Sequence, residues 1–187
     1  MAGVSGVGKT TLARHIAQVI GAAHTEIDGL FHGPNWVPRP SFLDDVRAMV
    51  AGDAWVTEWQ YGAARPLIAE RADLLAWLDL PYWTVTFPRV VRRTLRRRLH
   101  REELWNGNIE PPLRTFFTDD EHIVRWSVSS RRKYAELLTP DAALPTIVRL
   151  RSRTAIEQWL NGPLAAAVAS PENSGTVDLE ARNREQT

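Results

Sequence analysis

The sequence contains no cysteine, which excludes disulfide bonds, thiolate nucleophiles and zinc sites built on cysteine. A packed core of other side chains must therefore stabilise the fold, and the lack of cysteine favours a cytoplasmic protein. No run approaches the roughly 18 to 20 apolar residues of a membrane span, and no signal-peptide pattern opens the chain, so we expect no membrane partner. The 187 residues, of which 44% are hydrophobic, predict one globular domain of ordinary composition.

Lysine is nearly absent as well, because only Lys9 and Lys133 among the 23 basic residues are lysines. Seven arginines fall within residues 89–101 with no acid among them, whereas the last 25 residues carry more acids than arginines. The formal net charge of +1 thus combines a basic body with an acidic tail. A general nucleic-acid surface is expected to show a larger positive charge and interleaved aromatic residues, so the composition favours another function.

Helical spacing alternates along the chain with short apolar runs, a pattern typical of an α/β domain with a largely parallel sheet. We predict one domain over residues 1–162 and a mostly disordered acidic tail over 163–187, where the hydrophobic periodicity fades. The predicted strands are residues 24–28, 55–58, 74–80 and 146–150. The predicted helices are residues 9–20, 41–52, 67–71, 82–103 with a kink at Pro88, 118–138 behind a Thr118/Glu121 capping box, and 154–160.

The strongest motif is the segment from Gly3 to Thr10, which satisfies the G-x-x-x-x-G-K-[ST] pattern and leads directly into a predicted helix. Glycines let consecutive backbone N–H groups curl around phosphates, and the helix N-terminus adds partial positive charge. In this pattern Lys9 reaches the β- and γ-phosphates and the Thr10 hydroxyl holds Mg²⁺. We therefore predict an ATP site formed by Gly3, Val4, Ser5, Gly6, Val7, Gly8, Lys9, Thr10 and Thr11.

Two acids at predicted strand ends supply the carboxylates that phosphoryl transfer requires. Asp28 ends the 24–28 run and Glu58 ends the 55–58 run, so both are expected at the sheet edge where open α/β folds bind ligands. One acid would organise the metal, and the other would orient or deprotonate the attacking hydroxyl. Asp79, at the end of a third strand, is a less specific candidate.

The arginine-rich segment also has a helical arrangement. Val91, Leu95 and Leu99 are spaced as one stripe, which we predict to be buried, while Arg89, Arg93 and Arg97 lie on the opposite side. Guanidinium groups on such a helix stabilise a transferring phosphoryl group and help to exclude water, and Arg93 and Arg97 are the predicted catalytic residues. The alternative interpretation is that these arginines form a helix face exposed to solvent.

Taken together, these residues resemble the small bacterial P-loop kinases described as adenylate kinase-like or DNA topology modulation protein-like. The resemblance covers about residues 3–160. It rests on the Walker A segment, on the run Ile27–Phe31 followed by Trp36, on the Trp55–Glu58 strand with Tyr61, on Trp77–Pro81 and on the arginine helix.

The resemblance implies a P-loop NTPase fold of the nucleoside-monophosphate-kinase type, with three α/β/α layers around a five-stranded parallel sheet. It makes ATP and Mg²⁺ the cofactors, Glu58 the Walker B acid that binds the metal with Thr10, and Asp28 the substrate-side acid. It also implies a lid over about residues 89–115 and an adenine contact at Arg153. Trp59 stands where this family usually has glycine, which places an indole beside the expected metal site.

The leading hypothesis is an ATP- and Mg²⁺-dependent kinase that phosphorylates a small nucleotide, nucleoside or hydroxyl metabolite. A nucleic-acid-associated regulatory P-loop NTPase is the alternative that the basic run suggests. A nucleotide-binding protein without transfer activity is a third, because of Trp59 and the short start. The sequence leaves monomer and homodimer equally open.

Only Met1 and Ala2 precede Gly3, although a phosphate loop of this type normally leaves a central parallel strand. We expect the first strand to be missing or nearly so, which would leave backbone groups of its neighbours unpaired. The 187-residue chain should then melt at a markedly lower temperature than a version extended by about eight upstream residues. Equal melting temperatures for the two chains would contradict this expectation.

Overall fold

The computed structural model describes residues 1–109, 123–138 and 144–170. The chain divides into two units, Met1–Ser152 and Arg153–Thr187. Helices and short strands alternate in the first unit, in the order α1 (Lys9–Ile20), β1 (Ala23–Thr25), α2 (Ile27–Phe31), α3 (Phe42–Val50), β2 (Trp55–Thr57), α4 (Arg65–Arg71), β3 (Leu74–Leu78), α5 (Phe87–Leu99), α6 (Ile123–Ser129), α7 (Lys133–Leu137) and β4 (Thr146–Leu150). This arrangement confirms the mixed α/β class.

The strands pair in parallel as two two-stranded sheets, β1 with β2 and β3 with β4. Met1 and Ala2 lie between these sheets and bond to both. The Met1 ammonium donates to the Thr57 carbonyl at 2.7 Å, and Trp59 N donates to the Met1 carbonyl at 2.7 Å. On the other side, Ala2 bonds to Ala76 and Leu78 at 2.8 and 2.9 Å.

The prediction of a five-stranded parallel sheet is wrong for the part of the chain that the structure describes. Four strands are present there, and the position between β2 and β3 holds only the two residues Met1 and Ala2. Two residues provide a single parallel bridge, between Ala2 and Trp77, instead of a continuous ladder. Ala2 is nevertheless fully buried.

Helix α1 follows the sequence prediction at both ends. Its predicted apolar stripe is buried except at Ile20, which is exposed. Gly21 ends the helix in the left-handed conformation, with φ of 67° and its N–H bonded to the Ala17 carbonyl. The buried residues of α1 are Lys9, Leu12, Ala13, Ile16 and Ala17. Its first residue, Lys9, is thus anchored to a helix that the core holds in place.

The main core lies where α2, α3 and α4 pack with residues of β3 and α7. Its buried members include Ile27, Phe42, Val46, Val50, Trp59, Ala64, Ile68, Leu75, Trp77, Tyr134 and Leu138. Burial of this apolar area is the main term that stabilises the fold. The same packing fixes the chain segments that follow β1 and β2, which carry the candidate acids.

Helix α5 faces the opposite way from the prediction. The predicted buried stripe is turned outward, since Leu95 is 41% exposed and Leu99 77% exposed. Val90 and Thr94 are the buried residues instead. The reason is a tertiary contact: this face packs over the glycine-rich Gly3–Thr10 loop, and a Cβ built on Gly6 would stand 2.2 Å from Val90 Cγ2. Pro88 lies in the first turn of α5, where its missing N–H has no helical partner to lose, after a π-helical turn over Tyr82–Thr86.

Several predicted boundaries differ from the observed ones. A turn at residues 130–132 separates α6 from α7, where one helix was predicted, and the Thr118/Glu121 capping box lies outside the described residues. In the second unit, α8 (Arg153–Trp159) leads through a π-helical turn over Leu160–Leu164 to α9 (Ala165–Ala169). Helix therefore extends into the first residues of the predicted tail, and residues 171–187 lie outside the described part.

None of the helices in the described residues is both long and apolar enough to cross a membrane.

The observed orientation of α5 makes a stability prediction. Val90→Ala should lower the free energy of unfolding by about 1 to 3 kcal/mol, because it removes fully buried methyl groups. Leu99→Ala should change it by less than about 0.5 kcal/mol, because Leu99 is largely exposed. Urea unfolding of both variants measures the difference, and a larger loss for Leu99→Ala would contradict this orientation.

Candidate functional site

The Gly3–Thr10 loop adopts a conformation that only its glycines tolerate without strain. Gly3, Gly6 and Gly8 have φ angles of 145°, 78° and 110°, in the region that L side chains rarely occupy. Gly8 is the N-cap of α1, so the loop ends where the free N–H groups of that helix begin. This arrangement can hold an anion above the start of α1.

The Lys9 side chain folds back across the loop. Lys9 is 8% exposed, and its Nζ donates a hydrogen bond of 3.2 Å to the Val4 carbonyl. Burial lowers the pKa of Lys9 to about 8; Arg93 and Lys133 also lower it, while Asp28 and Glu58 act in the opposite direction. A bound polyphosphate would offset the burial of this charge.

Thr10 and Glu58, the two predicted Mg²⁺ ligands, are hydrogen-bonded to each other. The Thr10 hydroxyl donates to Glu58 Oε1 at 2.9 Å, and Glu58 Oε2 accepts from the Ile27 backbone N–H at 3.2 Å. Glu58 is 3% exposed, and His24 Nε2 lies 3.6 Å from Oε1. Among the described residues no three His, Asp or Glu side chains gather as a complete metal site. Mg²⁺ usually keeps several waters and takes one or two carboxylates beside substrate phosphates, so this pair fits such an ion.

The indole of Trp59 packs in the core, although it follows Glu58 directly. Its Nε1 donates to the Arg65 carbonyl at 3.0 Å, and its ring centroid lies 6.3 Å from that of Tyr134. The Tyr134 hydroxyl donates to the Trp59 carbonyl at 3.3 Å. The Thr10–Glu58 hydrogen bond therefore forms with this indole in place.

Two arginines of α5 donate hydrogen bonds to the Gly3–Thr10 loop. Arg93 Nη2 donates to the Ser5 hydroxyl at 3.3 Å, and Arg89 Nη1 donates to the Val7 carbonyl at 3.4 Å. Arg97 lies one turn further along, with its Nε 3.7 Å from Glu102 Oε1. Arg89 was not among the predicted catalytic residues, although its position four residues before Arg93 could have identified it.

Asp28 lies on α2, three residues beyond the end of β1, and not at a strand end as predicted. Its Oδ1 accepts from the Tyr61 hydroxyl at 2.6 Å and from Gln60 Nε2 at 3.0 Å. The Tyr61 hydroxyl also lies 3.2 Å from His32 Nε2. Burial and the adjacent Asp28 raise the pKa of Tyr61, so its hydroxyl stays protonated and keeps donating to the carboxylate. Two donors thus fix Asp28 in one orientation.

Two tight turns close the region beside Asp28. The buried side chain of Asn108 joins two 3₁₀ turns, Pro34–Trp36 and Trp105–Gly107. Asn108 Oδ1 accepts from Trp36 N at 2.9 Å, and its Nδ2 donates to the Gly33 carbonyl at 2.9 Å. Trp105 Nε1 donates to Glu26 Oε2 at 2.8 Å. The chain after α5 is therefore bonded to the loop that follows α2.

Two predicted residues of the first unit, Asp79 and Thr11, take no part in this cluster. Asp79 accepts two hydrogen bonds from Arg149, at 2.5 and 2.9 Å, and lies 3.8 Å from Arg151. These contacts make Asp79 part of a structural ion pair. Thr11 is an exposed residue of the first turn of α1. Arg153 is the first residue of α8 and belongs to the second unit.

No protein-family model matches the sequence, and no curated protein is significantly similar to it.

The two inner glycines of the loop allow a test of its contact with α5. Gly6→Ala brings both backbone strain and a clash with Val90, whereas Gly8→Ala brings strain alone, since nothing lies within 4 Å of its Cβ. Val90→Ala should therefore recover part of the stability lost in Gly6→Ala, by at least about 1 kcal/mol in a double-mutant cycle, and none of that lost in Gly8→Ala. Urea unfolding of the five variants measures both couplings. Strict additivity for Gly6 and Val90 would show that α5 does not pack on the loop.

Proposed function

We propose that the protein is an ATP- and Mg²⁺-dependent phosphotransferase, a P-loop kinase that acts on a small nucleotide, nucleoside or hydroxyl metabolite. The observation that carries the proposal is the convergence on one glycine loop of a buried lysine, a Thr–Glu oxygen pair and two arginines. Phosphoryl transfer depends mainly on positioning and charge stabilisation, and these groups supply both. The fold proposed with this function is of the nucleoside-monophosphate-kinase type in its alternation of helices and parallel strands, without, among the described residues, the five-stranded sheet that this type implies.

In this proposal the loop N–H groups and Lys9 bind the β- and γ-phosphates of ATP. Mg²⁺ would be held by Thr10 and Glu58 and would neutralise charge on the phosphate oxygens. Arg89 and Arg93 already contact the loop, so they need only exchange loop oxygens for phosphate oxygens.

Asp28 is the carboxylate that faces the acceptor in this proposal. It orients the acceptor hydroxyl and takes its proton while the acceptor oxygen bonds to the γ-phosphorus. The bond from that phosphorus to the bridging oxygen breaks, and ADP leaves with the electron pair. Gln60 and Tyr61 hold one carboxylate oxygen, which presents the carboxylate in a fixed direction.

The position of the arginines also bears on the nucleic-acid alternative. A phosphate-backbone surface requires guanidinium groups that face solvent, whereas Arg89 and Arg93 turn inward to the loop. Arg92 and Arg96 do face solvent, so the orientation of α5 favours the kinase only through Arg89 and Arg93. The third hypothesis, nucleotide binding without transfer, differs from the proposal only in the chemical step.

Replacing Asp28 tests that step. Asp28→Asn keeps the shape and the hydrogen bond from Tyr61 but cannot take a proton, so transfer from ATP across an acceptor panel should fall by at least about 100-fold. The affinity for MgATP should stay within about threefold, because Asp28 is assigned to the acceptor. The matched control is Asp44→Asn, at an exposed acid paired with Arg47 on α3.

An unchanged transfer rate in Asp28→Asn would remove Asp28 from the mechanism. Saturable MgATP binding with no transfer to any acceptor by the wild type would instead favour the third hypothesis.

A further inference from the structure

His24 lies in the middle of β1, next to the strand that leads to Glu58. In the parallel ladder His24 pairs with Val56, two residues before Glu58. Alternate residues of an extended chain project to the same side, so the imidazole of His24 and the carboxylate of Glu58 are brought to one face of the ladder. The register of β1 and β2 therefore places His24 beside the candidate metal ligand.

The imidazole nitrogen that approaches Glu58 makes no hydrogen bond. His24 Nε2 stands 3.6 Å from Glu58 Oε1, and it is buried without a hydrogen-bond partner among the described residues. The two side chains are only 11% and 4% exposed, so bulk water does little to compensate for the missing bond. Leaving a buried polar atom unsatisfied is unfavourable, and a ligand that takes up the nitrogen lone pair would remove that cost.

The distances around Glu58 Oε1 match those between ligands of one cation. This oxygen lies 2.9 Å from the Thr10 hydroxyl and 3.6 Å from His24 Nε2. Two protein ligands that bind the same ion at about 2.0 to 2.2 Å are themselves roughly 3 to 3.5 Å apart. The hydroxyl, the carboxylate and the imidazole are therefore spaced closely enough to share one ion after a small adjustment.

The alternative interpretation is an ion pair between a protonated His24 and Glu58. Charge-assisted hydrogen bonds from nitrogen to a carboxylate oxygen are short, about 2.7 to 2.9 Å, and the observed 3.6 Å is too long for one. Both Glu58 oxygens also accept other hydrogen bonds, Oε1 from Thr10 and Oε2 from the Ile27 N–H. The contact therefore favours an imidazole whose Nε2 lone pair faces the carboxylate, and a cation between them would bind both groups.

We propose that His24 Nε2 is a third ligand of the cation at Thr10 and Glu58, which makes this a mixed nitrogen–oxygen site for a divalent transition-metal ion. The inference rests on the proposed function and refines it, because the preferred cation changes from Mg²⁺ to an ion such as Mn²⁺ or Co²⁺. Mg²⁺ takes oxygen ligands, whereas imidazole nitrogen binds first-row transition metals, and affinity rises from Mn²⁺ to Co²⁺. Three protein ligands leave further positions for water and for phosphate oxygens.

Calorimetric titration of the full chain with CoCl₂ and MnCl₂, without nucleotide, measures this preference, and MgCl₂ is measured by competition against Mn²⁺. The wild type should bind one Co²⁺ at least about tenfold more tightly than Mg²⁺, with Mn²⁺ between them. His24→Gln offers an amide oxygen in place of the nitrogen. It should lower the affinity for Co²⁺ at least about tenfold and leave that for Mg²⁺ within about twofold. A purely structural role of His24 would lower both affinities together or neither.

His15→Gln is the matched control, since it makes the same replacement at an exposed histidine of α1. It should leave each affinity within about twofold. Equal affinities of the wild type for Co²⁺ and Mg²⁺, or a loss of Co²⁺ binding in His15→Gln instead of His24→Gln, would overturn the inference.

Pulsed electron paramagnetic resonance gives a direct readout of the ligand. Mn²⁺ bound to the wild type should show magnetic coupling to a directly bound nitrogen, and His24→Gln should lack it. The wild-type spectrum alone decides the question where His24→Gln fails to fold. Bound Mn²⁺ without nitrogen coupling, or no binding of Mn²⁺ or Co²⁺ at all, would contradict the proposal.

Addition of ATP separates this inference from the proposed function. Mn²⁺ at the site should then gain coupling to phosphorus and keep the nitrogen coupling seen before ATP was added. Binding of MgATP by a chain whose Mn²⁺ shows no nitrogen coupling overturns the inference alone. Nitrogen-bound Mn²⁺ in a chain that binds neither MgATP nor MnATP overturns the kinase and, with it, the assignment of this cation to a nucleotide.

Discussion

The contact between Gly6 and Val90 is the constraint on which the arrangement of the site depends. A Cβ on Gly6 has no room beneath Val90, so α5 approaches the loop as closely as a backbone allows. That approach fixes the rotation of α5 about its axis. This rotation places Arg89 and Arg93 against the loop, because they lie one residue before and three residues after Val90. It also leaves Leu95 and Leu99 exposed to solvent.

Charge is distributed unevenly around the loop. Lys9, Arg89 and Arg93 approach it from the side of α1 and α5, whereas Glu58 and Asp28 approach from the segments that follow β2 and β1. Each acid is held by neutral donors, Glu58 by Thr10 and Ile27 N and Asp28 by Gln60 and Tyr61, so neither carboxylate is consumed by a salt bridge to the loop lysine. Trp59 contributes from the core, since it fixes the chain directly after Glu58 and lies beneath Arg65.

The sequence predicted the parts of the molecule that depend on local pattern. Helix α1 with its Gly21 stop follows from apolar periodicity and motif spacing, whereas the pairing of Thr10 with Glu58 was implied by the family resemblance. The orientation of α5 could not be predicted, because apolar periodicity favours burial of Val91, Leu95 and Leu99 and only tertiary contact with Gly6 overrides it. The end of β1 was predicted too late, because Ile27 and Asp28 begin helix α2 instead of continuing the strand. Asn108 was missed because its role arises from contacts between distant segments.

The central claim is that the Gly3–Thr10 loop binds MgATP, and a calorimetric titration tests it most directly. MgATP is titrated into the wild type, Lys9→Met and a control, Arg132→Gln, which changes an exposed arginine directly before α7. Thermal unfolding shows whether each chain is folded. The account predicts saturable binding at one site in the wild type and the control, and at least about a tenfold loss of affinity in Lys9→Met. Absence of binding to the folded wild type, or equal affinity in Lys9→Met, would contradict it.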